Sequence, residues 1–427
     1  MKINLNNYIR KSEFAKNTLT LTIGTSVAQA FPILFYPVLA RIFEPADFGL
    51  LATLTSITAI LTVLSTGKYE GSILITRTKK DAANVIAMVL IISLVFLLLS
   101  TIVFLFLSEE FAKWFKEPKL KTWLLICPLS AYSLNIFNCY NEWCVRNKYF
   151  TALSVNKITN SAAITLNKLF LGIVRISSSG LVLGDLAGRV MSAGGCIFRF
   201  LKKDYDLARQ VTVLRMRILA KRYSDFPRFS LPDQLVDTVN TQLSTLMIAY
   251  VFLSAEVGLY AMARNVLSVP INIISIAVRD VFRQRANEEW EKKGNCKDIY
   301  VKVMTLMLII ILPASILLMI IFPDLFSVLL GQNWRPSGIY ARILMPQVAI
   351  LFMFRVVSSV FIIANKMKAS FIWQLYSISL TIISLSIGCF VFKSIIETLI
   401  CYVIARCIAN LTRLYLTYKY SKGTTVN

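Results

Sequence analysis

The chain of 427 residues contains no histidine. That excludes Ser-His-Asp and Cys-His catalysis, His-ligated zinc and haem, and the commonest general base near neutral pH. Charge is scarce as well: 16% of residues are Asp, Glu, Lys or Arg, against roughly 25% in a soluble domain. Acids are outnumbered by bases, 23 against 46, which leaves a formal charge of +23. Eight cysteines are present, but no pair has C-x-x-C spacing, so neither a metal knuckle nor a disulfide framework is expected. Cys127, Cys139, Cys144, Cys196, Cys389, Cys401 and Cys407 lie in or beside apolar runs and read as packing residues, while Cys296 sits in a charged loop. No metal or cofactor is expected.

Apolar sequence is abundant instead: 56% of residues are hydrophobic and the mean hydropathy is +0.64. Runs such as Val85–Leu107, Met304–Phe322 and Phe371–Phe392 approach or exceed the ~20 residues that cross ~30 Å of hydrocarbon. The fold class is therefore an all-α polytopic membrane protein. Twelve spans are predicted, at 17–40, 48–67, 82–107, 122–141, 149–173, 181–198, 226–253, 257–278, 303–322, 339–364, 369–392 and 398–412. The last is short unless Arg413 snorkels and the helix runs on towards Tyr418. The first span, with its Thr and Pro residues, does not look like a cleavable signal.

Lys and Arg number 30 in the amino terminus, even-numbered loops and tail, against 8 in the odd-numbered loops. That bias places both termini of the multi-pass protein in the cytoplasm. It makes the basic charge topological and argues against nucleic acid as a partner. The outward loop at Glu109–Lys121, with four lysines, is the exception. Residues 207–222 alternate apolar and basic residues at near-helical spacing. Such a segment suits either a helix on the anionic inner leaflet or a solvated connector.

An internal repeat supplies the most specific structural signal. Residues 40–52 (ARIFEPADFGLLA) align without gaps on 249–261 (AYVFLSAEVGLYA), a shift of 209 with six identities in thirteen positions, Gly49/Gly258 among them. Both segments join an odd span to an even one, six spans apart, so the repeat is parallel. The expected organisation is a six-helix lobe at 1–200, a connector at 201–222 and a second six-helix lobe at 223–427.

Eight basic residues fall inside the predicted spans, Lys157, Lys168, Arg189, Arg228, Arg264, Arg342, Arg355 and Arg406, against three acids, Asp185, Asp233 and Asp237. A charge at the bilayer centre costs at least ~2.5 to 3.5 kcal/mol and has to pair, snorkel or face a cavity. The excess of cations favours a hydrated cavity that accepts an anion. Helical periodicity puts Lys157, Ser161 and Lys168 on one face of the fifth span, and Arg264, Ser268, Asn272 and Ser275 on one face of the eighth. Thr18, Thr22, Thr25 and Gln29 in the first span and Asp233, Asp237, Asn240 and Ser244 in the seventh form comparable stripes. Interhelical hydrogen bonding without transport is the competing reading of the Ser/Thr positions. Lys157, Lys168, Arg264 and Arg355 are the candidate substrate contacts. Arg342 and Arg355 cannot both face inward from a straight helix, though Pro346 between them permits a bend. Asp185 and Arg189 are spaced as an i,i+4 pair. Asp233, Asp237 and Arg228 are assigned to coupling or gating: the two carboxylates either titrate in an ion- or proton-coupled cycle or pair with Arg228 or another arginine to gate the cytoplasmic mouth.

Several segments resemble the polysaccharide-transporter branch of the multidrug/oligosaccharidyl-lipid/polysaccharide exporters. They are FPILFYPVLARIFEPADFGLLATLTSI from Phe31, TGKYEGSILI at 66–75, DFPRFSLPD at 225–233, GLYAMARNVLSVP at 258–270 and FSVLLGQNWRPSGIYARILMP at 326–346. The resemblance implies two lobes and a V-shaped cleft working by alternating access. It further implies a flippase for undecaprenyl-diphosphate-linked O-antigen or capsule repeat units, a lipid-linked oligosaccharide, with membrane lipids and the pathway's polymerase and chain-length regulator as further partners. A multidrug or cation antiporter of the same fold is the alternative, and the basic excess argues against it. An enzyme acting on the same lipid-linked sugar, such as a polymerase or ligase, is the other. Asp204-Tyr205-Asp206 spells the D-x-D of nucleotide-sugar sites, but its connector of about 27 residues is too short for a nucleotide-binding domain. No catalytic residue is assigned.

Overall fold

The computed structural model describes residues 5–174 and 179–423, with side chains from Thr20 onward except at Ala277. It is helical throughout, with no strand among the described residues. The helices are α1 Leu5–Ile42, α2 Pro45–Thr66, α3 Lys79–Trp114, α4 Leu120–Arg146, α5 Phe150–Ile173, α6 Ser179–Ala208 and the short α7 Val213–Arg222. There follow α8 Leu231–Val251, α9 Ser254–Lys293, α10 Lys297–Leu330, α11 Gln332–Ile363, α12 Met367–Phe392 and α13 Ile395–Ser421. Each predicted span falls on a long helix, and ten of those twelve are long and apolar enough to cross a membrane. The two that fall short, α5 and α8, are the helices that carry Lys157, Lys168, Asp233 and Asp237.

Local chemistry sets the helix ends. Pro45 opens α2, where its missing N–H costs nothing. Thr78 caps α3 by accepting from the Asp81 amide at 3.0 Å. Gly294, with φ +69°, ends α9 and donates its N–H to Trp290 O at 2.8 Å. The last helix runs on to Ser421, so α13 is not short. Arg413 does not snorkel: its guanidinium lies 3.8 Å from the Phe354 ring centroid and 3.9 Å from that of Trp373.

The chain forms two compact units. One takes in the chain up to Phe43 with Leu50–Gln242, and the other Glu44–Gly49 with everything from Leu243. The 209-residue repeat is visible in the helix boundaries: α1 and α8 end at Ile42 and Val251, and α2 and α9 begin at Pro45 and Ser254. Within the second unit, a Cβ on Gly49 would strike the Ser254 carbonyl oxygen, and one on Gly258 that of Pro45. The two equivalent glycines of the repeat thus allow reciprocal backbone contact, as small residues do between membrane helices.

The connector docks on the first unit. Met216, Leu219 and Tyr223 are buried with Ile73, Val85, Val89 and Trp143. Arg215 Nε meets Asp81 Oδ1 at 2.7 Å, and the Thr212 N–H donates to Asn84 Oδ1 at 2.9 Å. Residues 213–222 are therefore not a freely solvated linker, although the opposite face, with Leu214 72% and Ile218 49% exposed, is bare. In the lysine-rich segment Glu109–Lys121, Lys113 pairs with Glu110 at 2.9 Å and Lys121 with Glu109 at 3.1 Å.

Two predictions follow from these contacts. Gly258→Val should lower folded stability by about 1–3 kcal/mol through overpacking, whereas Gly194→Ala, inside α6 with nothing within 4 Å, should raise it by about 0.5–1 kcal/mol. Thermal unfolding of the detergent-solubilised protein measures both. Cys296, despite its charged loop, is fully buried, its N–H donates to Ser421 O at 2.8 Å, and burial pushes its thiol up to about 11. It should resist maleimide in the folded protein and react once denatured.

Candidate functional site

In the first unit, three helices position the candidate cations. Helix α6 carries Gly180, Gly184 and Gly188 at four-residue spacing, and these meet the backbone or near-backbone atoms of α5. A Cβ at Gly184 would lie 2.6 Å from Lys168 Cα, so the two helices touch along this strip. That contact brings Asp185 within reach of Lys168. Asp185 Oδ1 lies 2.7 Å from Lys168 Nζ, and its Oδ2 lies 2.5 Å from Arg189 Nε. All three side chains are at most 14% exposed. The predicted Asp185–Arg189 pair therefore forms, and Lys168 joins it in a cluster of two cations and one carboxylate.

Helix α1 lines the other side of α5. Ser154 Oγ donates to Thr20 O at 3.0 Å, Lys157 Nζ to Thr25 Oγ1 at 3.1 Å, and Ser161 Oγ to Ala28 O at 2.6 Å. Interhelical hydrogen bonding thus accounts for Ser161 and Thr25, two of the polar-stripe positions. Lys157, half-buried, makes no ion pair among the described residues. Thr18, the first residue of the α1 stripe, lies outside the residues whose side chains are described.

Lys157 and Lys168 share the wall of one cavity of about 460 Å³, with Thr25, Gln29, Tyr36 and Phe137. Gln29 Oε1 is buried there without a hydrogen-bond partner among the described residues. The cavity thus offers a cation without a carboxylate, a second cation half neutralised by Asp185, and an amide oxygen open to a donor. Two faces predicted separately, those of the first and fifth spans, meet in it. Sequence reasoning missed Tyr36, Phe137 and Asn160 in its wall. The G-x-x-x-G-x-x-x-G spacing beside Asp185 was the signal that α5 and α6 pack closely.

The second unit holds the other two candidates. Arg264 Nη1 donates to Thr245 Oγ1 at 2.9 Å, next to the Tyr260 hydroxyl that donates to Ser244 Oγ at 2.8 Å. Among the described residues Arg264 makes no ion pair. Arg355 donates to Asn272 Oδ1, which attaches it to the predicted α9 stripe. Arg342 is exposed and donates to Met319 O at 2.8 Å, so Arg342 and Arg355 do part company as their spacing requires. Arg406 donates to Ser377 Oγ at 2.8 Å.

Arg228, Asp233 and Asp237 are all exposed. The expected pairing of Arg228 with Asp233 is not formed among the described residues. Arg228 lies on the irregular turn Phe226–Ser230, outside the regular helix that carries Asp233. Asp204 of the D-x-D triplet accepts from Trp143 Nε1 at 3.0 Å, at a kink in α6 where φ is −127°. Its carboxylate serves that bend.

Comparison with known proteins agrees with this architecture. The family described as polysaccharide biosynthesis protein matches residues 38–338. A Klebsiella pneumoniae protein, named an uncharacterized membrane protein in the cps region, is 24% identical over 301 residues. That match covers 70% of this chain and 60% of the relative's length. Among solved structures, the lipid II flippase MurJ in its inward closed conformation superposes with a TM-score of 0.72 at 12% identity, covering 95% of this chain and 90% of that one. An inward-facing multidrug resistance MATE family transporter gives 0.64 at 16% identity, with 93% of each chain covered. At such identities these structures establish the fold alone.

Removing the carboxylate from the buried cluster tests its structural role. Asp185→Asn leaves Lys168 and Arg189 facing each other and should cost about 3–5 kcal/mol. Lys157→Gln, which breaks no ion pair, should change stability far less; the thermal midpoints of the two variants against wild type decide it.

Proposed function

Because the chain belongs to the polysaccharide biosynthesis protein family and its described residues hold ten helices long and apolar enough to cross a membrane, we propose that it is a flippase for a lipid-linked oligosaccharide. The observation that carries the reading is Lys157, a cation without a counter-charge among the described residues, in the wall of a cavity inside the first unit. A buried cation of this kind needs an anion, and the diphosphate linking lipid to sugar supplies one. The open Gln29 oxygen accepts from a sugar hydroxyl. Lys168 contributes what charge Asp185 leaves it; Arg264 and Arg355, in the second unit, are candidate substrate contacts in their own right. Asp233, Asp237 and Arg228 serve coupling or gating.

In this reading the cargo is an undecaprenyl-diphosphate-linked repeat unit of O-antigen or capsule, carried by alternating access from the cytoplasmic to the periplasmic leaflet of the bacterial inner membrane. The cps-region relative supports the polysaccharide context, and the Lys/Arg bias supports cytoplasmic termini. The two lobes of the predicted organisation, 1–200 and 223–427, flank the connector at 201–222, and the pathway's polymerase and chain-length regulator are candidate partners. A fold shared with a multidrug transporter favours cationic drugs as the alternative cargo. The basic character of the cavity opposes it, since a cationic drug would meet Lys157 and Lys168.

Lys157→Gln and Arg264→Gln should each lower export of the lipid-linked unit at least tenfold, the loss of one charge-assisted contact, with membrane protein levels unchanged. Lys168→Gln should lower it less. Export at the wild-type level in all three variants would falsify the cationic site.

A further inference from the structure

A second cavity in the first unit, separate from the one that holds Lys157, is also walled by α4. Phe137 faces the polar cavity, while Ile136, Cys139 and Tyr140 line a separate space of about 330 Å³. Its remaining wall comes from the first turns of α3 (Ala83 and Ala87), the last turns of α6 (Phe200 and Leu201) and the segment leading to α7. Apart from the Tyr140 hydroxyl and the cysteine thiols, the lining side chains are hydrocarbon. Ile197 and Leu201 at its edge are each 42% exposed, which opens the cavity towards the hydrocarbon that surrounds a membrane helix.

Basic groups surround the end of the unit where this space lies. Lys80 precedes Ala83, Lys202 follows Leu201 and Arg209 follows Ala208, and all three are exposed. Arg209 lies 5.3 Å over the Tyr205 ring. Nearby, the bare face of α7 repeats Leu214, Arg217, Ile218 and Lys221 at helical spacing. Of the carboxylates near the cavity, Asp81 is taken by Arg215, Asp204 by Trp143 and Glu70 by Lys68, which leaves Asp206 exposed and Glu142 half-buried within electrostatic reach of Cys139. An apolar slot between membrane helices with a basic mouth matches an anionic lipid, one part hydrocarbon and one part phosphate.

We propose that this cavity is a binding site for an anionic diacyl phospholipid. One acyl chain fills the slot between α3, α4 and α6, and the phosphate lies among Lys80, Lys202 and Arg209. The apolar face of α7 beside it, with Arg217 and Lys221 interleaved, rests on the same leaflet. The bound chain takes the place of missing packing behind α4, the helix whose Phe137 forms part of the Lys157 cavity. Lipid composition thereby bears on the stability of that wall.

The test compares phosphatidylglycerol with phosphatidylcholine of identical chains, added to the detergent-purified protein. Phosphatidylglycerol should raise the thermal midpoint by about 3 °C more than phosphatidylcholine. The double variant Lys202→Gln/Arg209→Gln, at exposed positions that leave the fold intact, should abolish that difference. Ala87→Phe, which fills the slot, should abolish the response to either lipid. Native mass spectrometry of the wild type should find phosphatidylglycerol retained in preference to phosphatidylcholine. Equal shifts with the two lipids in wild type, or a difference that survives in the double variant, overturns the proposal. A shift given by undecaprenyl phosphate where phosphatidylglycerol gives none also overturns it, and assigns the slot to an isoprenoid tail.

Discussion

A charge inside a membrane helix has to find a counter-charge, a polar wall or water, and the first unit is arranged around that requirement. Asp185 meets it for Lys168 and Arg189 together, at 2.7 and 2.5 Å. The cluster exists only because Gly180, Gly184 and Gly188 let α6 lie against α5. Larger residues there would hold the Asp185–Arg189 pair away from Lys168 and leave that lysine without its carboxylate. The same helix pair sets the position of Lys157, three turns away along α5, where the cavity replaces a carboxylate. Structure and chemistry are joined in α5: its polar residues lower its hydropathy below that of the ten strongly apolar helices and line the cavity.

The fold was largely legible in the sequence because hydrocarbon imposes a simple rule on chain length and composition. Each predicted span lies on a helix, α5 and α8 included, even though polar stripes weaken their apolar signal. The repeat was legible from thirteen residues because it falls where backbone has to meet backbone, at Gly49 and Gly258. Pairings between helices were harder to read. The Asp185–Arg189 pair could be found by spacing within one helix, whereas Lys168–Asp185 depends on how α5 and α6 approach. Arg413 looked like a residue on its way to the surface, and the aromatic rings of Phe354 and Trp373 hold it instead.

Parts of the predicted site separate along the same line. Helical periodicity recovered Lys157, Lys168, Thr25 and Gln29, which share a cavity, because each lies on a regular helix whose facing surface is fixed by its apolar side. It did not foresee that Arg355 joins the α9 stripe through Asn272, because that contact depends on how α11 approaches α9. The irregular turn at Phe226–Ser230 carries Arg228, and there periodicity gives no guide to its facing. The connector showed the limit most plainly: its basic residues drew attention to lipid, while Met216 and Leu219 were already committed to the unit's core.

The account stands on movement of a lipid-linked sugar from one leaflet to the other. The most direct measurement uses a strain lacking this protein and asks which face of the membrane holds the lipid-linked repeat unit, by its access to a membrane-impermeant sugar-specific label in intact and in opened cells. The account predicts complete units that accumulate on the cytoplasmic face, labelled only after the cells are opened. Single units that accumulate on the periplasmic face would contradict it, since flipping would then be intact and the block would lie in a later, polymerising step.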